Sequence, residues 1–227
     1  MFKSHKIIMG IDGYRYYEES SYKNSNYNLD TNEFKLEKLR KGLNLHIIIE
    51  GKEVFIEEIE IPRIRKNMIY QLVECALIER FHSLNEIAFD YIVKSRKKET
   101  IEIIVYCLNL SNLNFSKENF GKAKIKTVIT IQQLYIKYFI KRIKSKEFYG
   151  VVSRNKYIYL FHVSNNRMVE NNVVDVNLLS NNLYINSFLK KVADRESKIY
   201  LHIHEEEEGK VLKNYLSNYE KLKIYEI

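Results

Sequence analysis

LNLHIIIEGKEVFIEEIEIPRIRKNMIYQLVECALIERF, residues 43–81, decides how this 227-residue chain is read. Two apolar-alternating runs flank Glu50-Gly51-Lys52, a pattern that predicts a β-hairpin over 43–61. Pro62, the only proline, follows. Its missing N–H is no loss at the first position of a helix and its φ is already helical, so a helix is predicted over 63–81. Ile64, Met68, Leu72, Ala76 and Phe81 recur there near the helical period, joined by Ile69, Val73 and Leu77. A polar link then leads to two predicted strands, Ile87–Val93, which carries Asp90-Tyr91, and Ile101–Cys107.

Working outward, Lys6–Asp12 reads as a first strand and Tyr14–Lys23 as a candidate second. Ser20–Thr31 is polar and reads as loop, and Phe34–Arg40 is ambiguous. Ser111–Gly121 is a loop or short helix, followed by a strand near Lys126–Ile129. Thr130 is placed to cap a helix ending near Ile143, with Ile131, Leu134, Tyr135, Tyr138 and Phe139 on its apolar side. The rest reads as strands Phe148–Val152, Tyr157–Val163 and Met168–Asp175, helix Leu178–Ala193, strand Lys198–Ile203, helix Glu205–Leu216 and strand Lys221–Tyr225.

Hydrophobic residues make up 45% of the chain, which sets it apart from disordered sequences. No apolar run approaches the roughly 18–20 residues that cross a bilayer. Ile7-Ile8-Met9 is too short for the apolar stretch of a signal peptide, so a cytoplasmic chain is expected. Cys75 and Cys107 lack metal-ligand spacing and are expected to be buried thiols of a reducing compartment. The net charge of +8 arises entirely in the second half. Residues 122–146 carry Lys122, Lys124, Lys126, Lys137, Lys141, Arg142, Lys144 and Lys146 and no acid. Lys137, Lys141 and Lys144 share one helical face. That face is a solvated surface, a contact for protein or membrane, or a site for nucleic-acid phosphates. Tyr157, Tyr159 and Phe161 alternate as in a base-stacking sheet, although the same pattern serves a core.

The order hairpin, Ile61-Pro62, helix bearing Glu74 and Glu79, Asp90-Tyr91 strand and further strand resembles the inserted subdomain of PilM-type pilus assembly proteins. It also resembles the cytoplasmic domain of the related GspL-type secretion proteins. The likeness is strongest over 43–107, extends more weakly to about residue 175, and fits the first forty residues poorly. Where the family has a second proline after the helix, this chain has His82. The final run of three strands, helix, strand, helix, strand matches the ribonuclease-H-like unit that occurs twice in actin-like proteins. The fold class expected is therefore α/β and actin-like: two ribonuclease-H-like subdomains, the first abbreviated, with a small inserted α/β subdomain. The corresponding divisions are 1–42, 43–121 and 122–227.

Actin-like ATPases hold phosphates between two β-hairpins whose glycines admit close approach. The first pattern, Gly-Ile-Asp-hydrophobic-Gly, is here Gly10-Ile11-Asp12-Gly13-Tyr14-Arg15, its second glycine one place early. At the second stands Val151-Val152-Ser153-Arg154-Asn155, with neither acid nor glycine. No glycine pair occurs near Asn177–Asn182. Asp12, Gly13 and Ser153 thus mark a degenerate nucleotide site, and no cofactor and no catalysis are expected. A two-metal nuclease would have to converge Asp12, Asp90 and Asp175. His202 and His204, before Glu205–Glu208, are candidate metal ligands, or else a strand end before an acidic first helical turn.

The resemblance implies an adaptor that binds the cytoplasmic N-terminal tail of a single-pass, PilN-type inner-membrane protein and links it to a PilB-type assembly ATPase. Such a chain is held at the inner face of the membrane through its partners; a homodimer is a further option. Tyr91 and Ile64 are candidate partner contacts, together with Lys137, Lys141 and Lys144. The alternatives are an active actin-like ATP-binding protein and a basic nucleic-acid-binding protein.

Overall fold

The computed structural model describes residues 4–10, 13–18, 44–111, 124–204 and 206–227, the first two stretches as backbone alone. The chain divides into two compact units, Met1–Ile131 and Gln132–Ile227. Ser20–Thr31, Phe34–Arg40 and nearly all of Ser111–Gly121 lie outside the described residues.

The first unit contains two sheets. In one, β1 (Ser4–Gly10) and β2 (Gly13–Glu18) form an antiparallel hairpin. Beside β1 runs β3 (Asn44–Ile49), parallel to it, and then β7 (Lys124–Thr130), parallel to β3. The other sheet has the order β4-β6-β5, with β4 (Val54–Pro62), β5 (Ile87–Arg96) and β6 (Thr100–Asn109) all antiparallel. Parallel neighbours need a long crossover, and here the whole second sheet is the crossover from β3 to β7.

The predicted hairpin over 43–61 is therefore corrected. Its two runs are strands, but β3 and β4 belong to different sheets and do not pair. Leu45, Ile47, Ile48 and Ile49 are all buried, which suits a strand flanked by parallel neighbours rather than half of a hairpin. Gly51 makes the corner with φ of +112°. A Cβ there would also lie 2.7 Å from Glu53 Oε2.

Pro62 requires a second correction. It ends β4, opposite Thr100, on an edge strand, where a missing N–H leaves no ladder bond broken. A 3₁₀ turn at Lys66–Met68 intervenes before α1 (Ile69–Phe81) begins. Ile69, Val73 and Leu77 form its buried stripe, packed on Ile61, Ile101, Ile103, Val105 and Cys107. His82 closes α1 in the left-handed conformation, φ 63°, its N–H donating to Ile78 O at 2.7 Å.

In the second unit the order β10-β9-β8-β11-β12 matches the expected ribonuclease-H-like succession. The strands are β8 (Phe148–Arg154), β9 (Tyr157–Ser164), β10 (Arg167–Asp175), β11 (Lys198–Ile203) and β12 (Lys223–Glu226). Two-residue turns join the meander. Asn155-Lys156 and Asn165-Asn166 all have positive φ, the type I′ geometry that matches strand twist.

Both faces of this sheet are covered. Tyr149, Val151, Ile158, Leu160, Ile199 and Leu201 pack under α3 (Leu183–Asp194) and α4 (Glu206–Leu216). The predicted helix over 178–193 is split: a 3₁₀ turn spans Val176–Asn181, and Asn182 Oδ1 then caps α3 by accepting from Tyr184 and Ile185 N–H. On the opposite face α2 (Ile131–Ile143) brings Phe139 to 5.6 Å from the Phe161 ring and 5.9 Å from the Phe148 ring. Gly150 permits that approach, for a Cβ there would stand 2.2 Å from Phe161 Cε2 and 2.8 Å from Phe139 Cε2.

Two glycine substitutions test this packing in urea denaturation. Gly150→Ala is expected to cost about 1–3 kcal/mol by overpacking rings that have nowhere to move. Gly51→Ala is expected to cost about 1–2 kcal/mol by forcing a side chain into left-handed backbone. An unaltered midpoint for Gly150→Ala would contradict the placement of α2.

Candidate functional site

Hairpins are present at both places where the sequence suggests phosphate loops. In the first unit Gly10 pairs with Gly13 at the end of β1 and β2, while Ile11 and Asp12 lie outside the described residues. In the second, β8 ends at a turn where Ser153 is fully buried. The Lys156 N–H at that turn donates to Glu208 Oε1 at 2.5 Å, and the Ser153 hydroxyl reaches Glu208 Oε2 at 3.4 Å. His204 N–H donates to Ser153 O at 3.0 Å, fastening the end of β11 to the same place.

Glu208 thus reaches across from the first turn of α4 to accept from the β8–β9 turn. Glu206 and Glu207 stand in the same helical turn. An acidic first turn suits the positive end of the helix dipole. Sequence reading saw the run of glutamates but not this contact, which joins residues 52 and 55 positions apart.

Of the acids considered for two metals, Asp12 lies outside the described residues, Asp90 is exposed on β5, and Asp175 accepts from Asn177 N–H at 2.9 Å to cap a 3₁₀ turn. His202 Nδ1 lies 2.9 Å from Ile227 O, and its ring sits beside Tyr135 and Tyr138. Among the described residues no group of three or more His, Cys, Asp or Glu is placed to hold a metal. Tyr159 and Phe161 are fully buried, so they are core and not a stacking platform.

Lys137 and Lys141 are exposed on α2, opposite the buried Tyr135 and Phe139. Lys144, also exposed, lies one residue past the helix with φ 54°, so the three cations do not share one helical face in full. Arg142 covers the Tyr138 ring at 4.4 Å.

The inserted sheet offers a different kind of surface. Tyr91 is half-buried on the strand face that carries Phe89 and Val93, toward α1. Its N–H is taken by Asp90 Oδ1 at 2.8 Å, and β5 is an edge strand. Ile64 lines a shallow, open depression of about 770 Å³ with Arg63, Arg65, Met68, Lys98 and Glu99. On α1, Tyr70 and Ile78 are nearly half exposed, and Tyr70 stacks on Phe89 at 5.0 Å. Cys75 is exposed, contrary to the expectation of two buried thiols, because it lies off the Ile69–Val73–Leu77 stripe. Cys107 faces the core, where burial pushes its thiol up to about 12.

No family model matches this sequence, and neither does any curated protein sequence. Solved structures do match. A Bacteroides thetaiotaomicron protein of actin-like ATPase fold and unknown function is 14% identical with a TM-score of 0.52; the match covers 98% of this chain and 90% of that one. The fold is actin-like. The PilM–PilN type IV pilus biogenesis complex is 11% identical with a TM-score of 0.54, over 80% of this chain and 69% of that one. The cytoplasmic domain of EpsL, an inner-membrane component of the type II secretion system of Vibrio cholerae, is 10% identical with a TM-score of 0.52, over 88% and 81%. Among the described residues no helix is long and apolar enough to cross a membrane.

Calorimetric titration with ATP and Mg²⁺ is expected to show nothing tighter than about 1 mM, or about −4 kcal/mol. A micromolar dissociation constant would mean that Glu208 yields to phosphate and that the degenerate reading is wrong.

Proposed function

We propose that this chain is a non-catalytic, actin-like adaptor of a type IV pilus or type II secretion-like assembly platform. It binds the short cytoplasmic tail of a single-pass, PilN-type membrane protein and links it to a PilB-type assembly ATPase at the inner face of the membrane. The observation that supports this most is the contrast between its two parts. The β8–β9 turn is filled by the chain's own Glu208 carboxylate, while the β4–β6–β5 sheet and α1 keep a built core and present accessible apolar groups. Loss of a ligand site with retention of an interaction module fits docking rather than turnover.

The tail has two routes onto the module. An extended peptide can add to a sheet edge, its alternate side chains reaching pockets, or it can lie along the exposed side of α1. The neighbouring strand β1 is a further contact in this reading. Tyr91 and Ile64 are the side chains proposed to meet it.

The native thiols provide the test. Cys75 is exposed on α1 and Cys107 is buried, so a photo-activated crosslinker attached to the folded protein is expected to sit on Cys75 alone. It is expected to capture the cytoplasmic tail of a co-encoded single-pass protein. Capture only from a thiol introduced at Lys141, and none from Cys75, would move the docking site to the second unit and overturn the assignment to this module.

A further inference from the structure

The first half of the chain is electrically neutral in sum, which conceals a cluster that only the fold assembles. The loop between β4 and α1 carries Arg63, Arg65 and Lys66, and the end of β5 with the following turn carries Arg96, Lys97 and Lys98 with the single carboxylate Glu99. The two segments meet at one end of the inserted sheet. Arg63 N–H donates to Glu99 O at 2.7 Å, and the Arg63 guanidinium reaches the carbonyls of Lys97 at 3.3 Å and Lys98 at 3.5 Å.

Among the described residues the strand carboxylates neutralise only Lys97 at this end, which has Glu60 at 3.8 Å as well as Glu102. Glu57 pairs with Arg80 at 2.6 Å, Glu58 with Lys94 at 2.8 Å and Glu102 with Lys97 at 2.5 Å. Among the described residues, Arg63, Arg65, Lys66, Arg96 and Lys98 are exposed and face no carboxylate within ion-pair distance. Beside them Met68 is 45% and Tyr70 49% exposed. Arg63, Arg65, Met68 and Lys98 border an open, shallow depression.

We propose that this end of the inserted module, the 63–68 loop with the 96–99 turn, lies on the anionic headgroups of a membrane surface. Five unmatched cations supply the attraction, and Met68 and Tyr70 enter the headgroup boundary as interfacial apolar groups do. The contact is independent of the tail-binding reading, since it needs no protein partner.

The test is co-sedimentation of the intact protein with vesicles of phosphatidylcholine alone or with about a third phosphatidylglycerol, at physiological and at high salt. Binding is expected only to the anionic vesicles, and it should fall as salt rises. Each cation near such a surface favours binding about five-fold, so Arg65→Ala, Lys66→Ala and Lys98→Ala together should weaken it about a hundredfold. Among the described residues the side chains of these three make no hydrogen bond or ion pair, and an unchanged melting curve shows that the variant is folded. Lys137→Ala, Lys141→Ala and Lys144→Ala together should leave vesicle binding intact.

Absence of binding to anionic vesicles, or a loop variant that binds as well as the unaltered chain, would overturn the proposal. So would loss of binding in the α2 variant alone. Retention on immobilised polyglutamate without vesicle binding would identify an acidic protein as the partner instead.

Discussion

Glycine at position 51, held at φ +112°, turns the chain out of the β2-β1-β3-β7 sheet and into a second sheet. Only a residue without a Cβ takes that conformation at little cost. Buried Glu50 and Glu53 flank it, and the Glu53 carbonyl accepts from Asn109 N–H at 2.8 Å, which ties the start of β4 to the end of β6. The corner therefore fixes where the inserted module begins and where it must return. Were 43–61 a hairpin, β3 could not lie parallel between β1 and β7, and the order β2-β1-β3-β7 would be lost.

In the second unit the governing constraint is burial on both faces of one sheet. Every residue of β8 is buried, so α2 and the α3–α4 pair must each come close. Gly150 lets the Phe139 ring approach on one side; Gly209, where a Cβ would lie 2.4 Å from Ile203 Cγ2, does the same for α4 on the other. That second approach carries Glu208 to the β8–β9 turn. The packing that completes the core is thus also what places a carboxylate on the donors of the turn, and chemistry and architecture are coupled through one glycine and one glutamate.

Strands and helices were legible because apolar periodicity reports burial directly. Their partners were not, because periodicity says nothing about which neighbour a strand takes. The run Ile47-Ile48-Ile49 held a usable signal, since a strand buried on both faces reads as continuous rather than alternating. Pro62 misled for a related reason: an edge strand and a helix start both tolerate a missing N–H, and only the pairing to Thr100 separates them. On α1 two interleaved apolar stripes were visible, and packing chose Ile69, Val73 and Leu77 over the stripe that contains Met68. For the site, the lack of an acid and a glycine around Ser153 could be read directly. The reach of Glu208 and the joining of Arg63 to the Lys97–Lys98 turn were not, because both depend on residues far apart in sequence.

The central claim is that the inserted module receives the partner while the hairpins no longer receive nucleotide. Hydrogen exchange on the intact chain, alone, with the co-encoded tail peptide and with ATP and Mg²⁺, examines both halves in one measurement. The account predicts that the peptide slows exchange in residues 44–109 and that nucleotide leaves the Ser153–Lys156 turn and the start of α4 unchanged. Protection of that turn by nucleotide, with none in the module from the peptide, would contradict it.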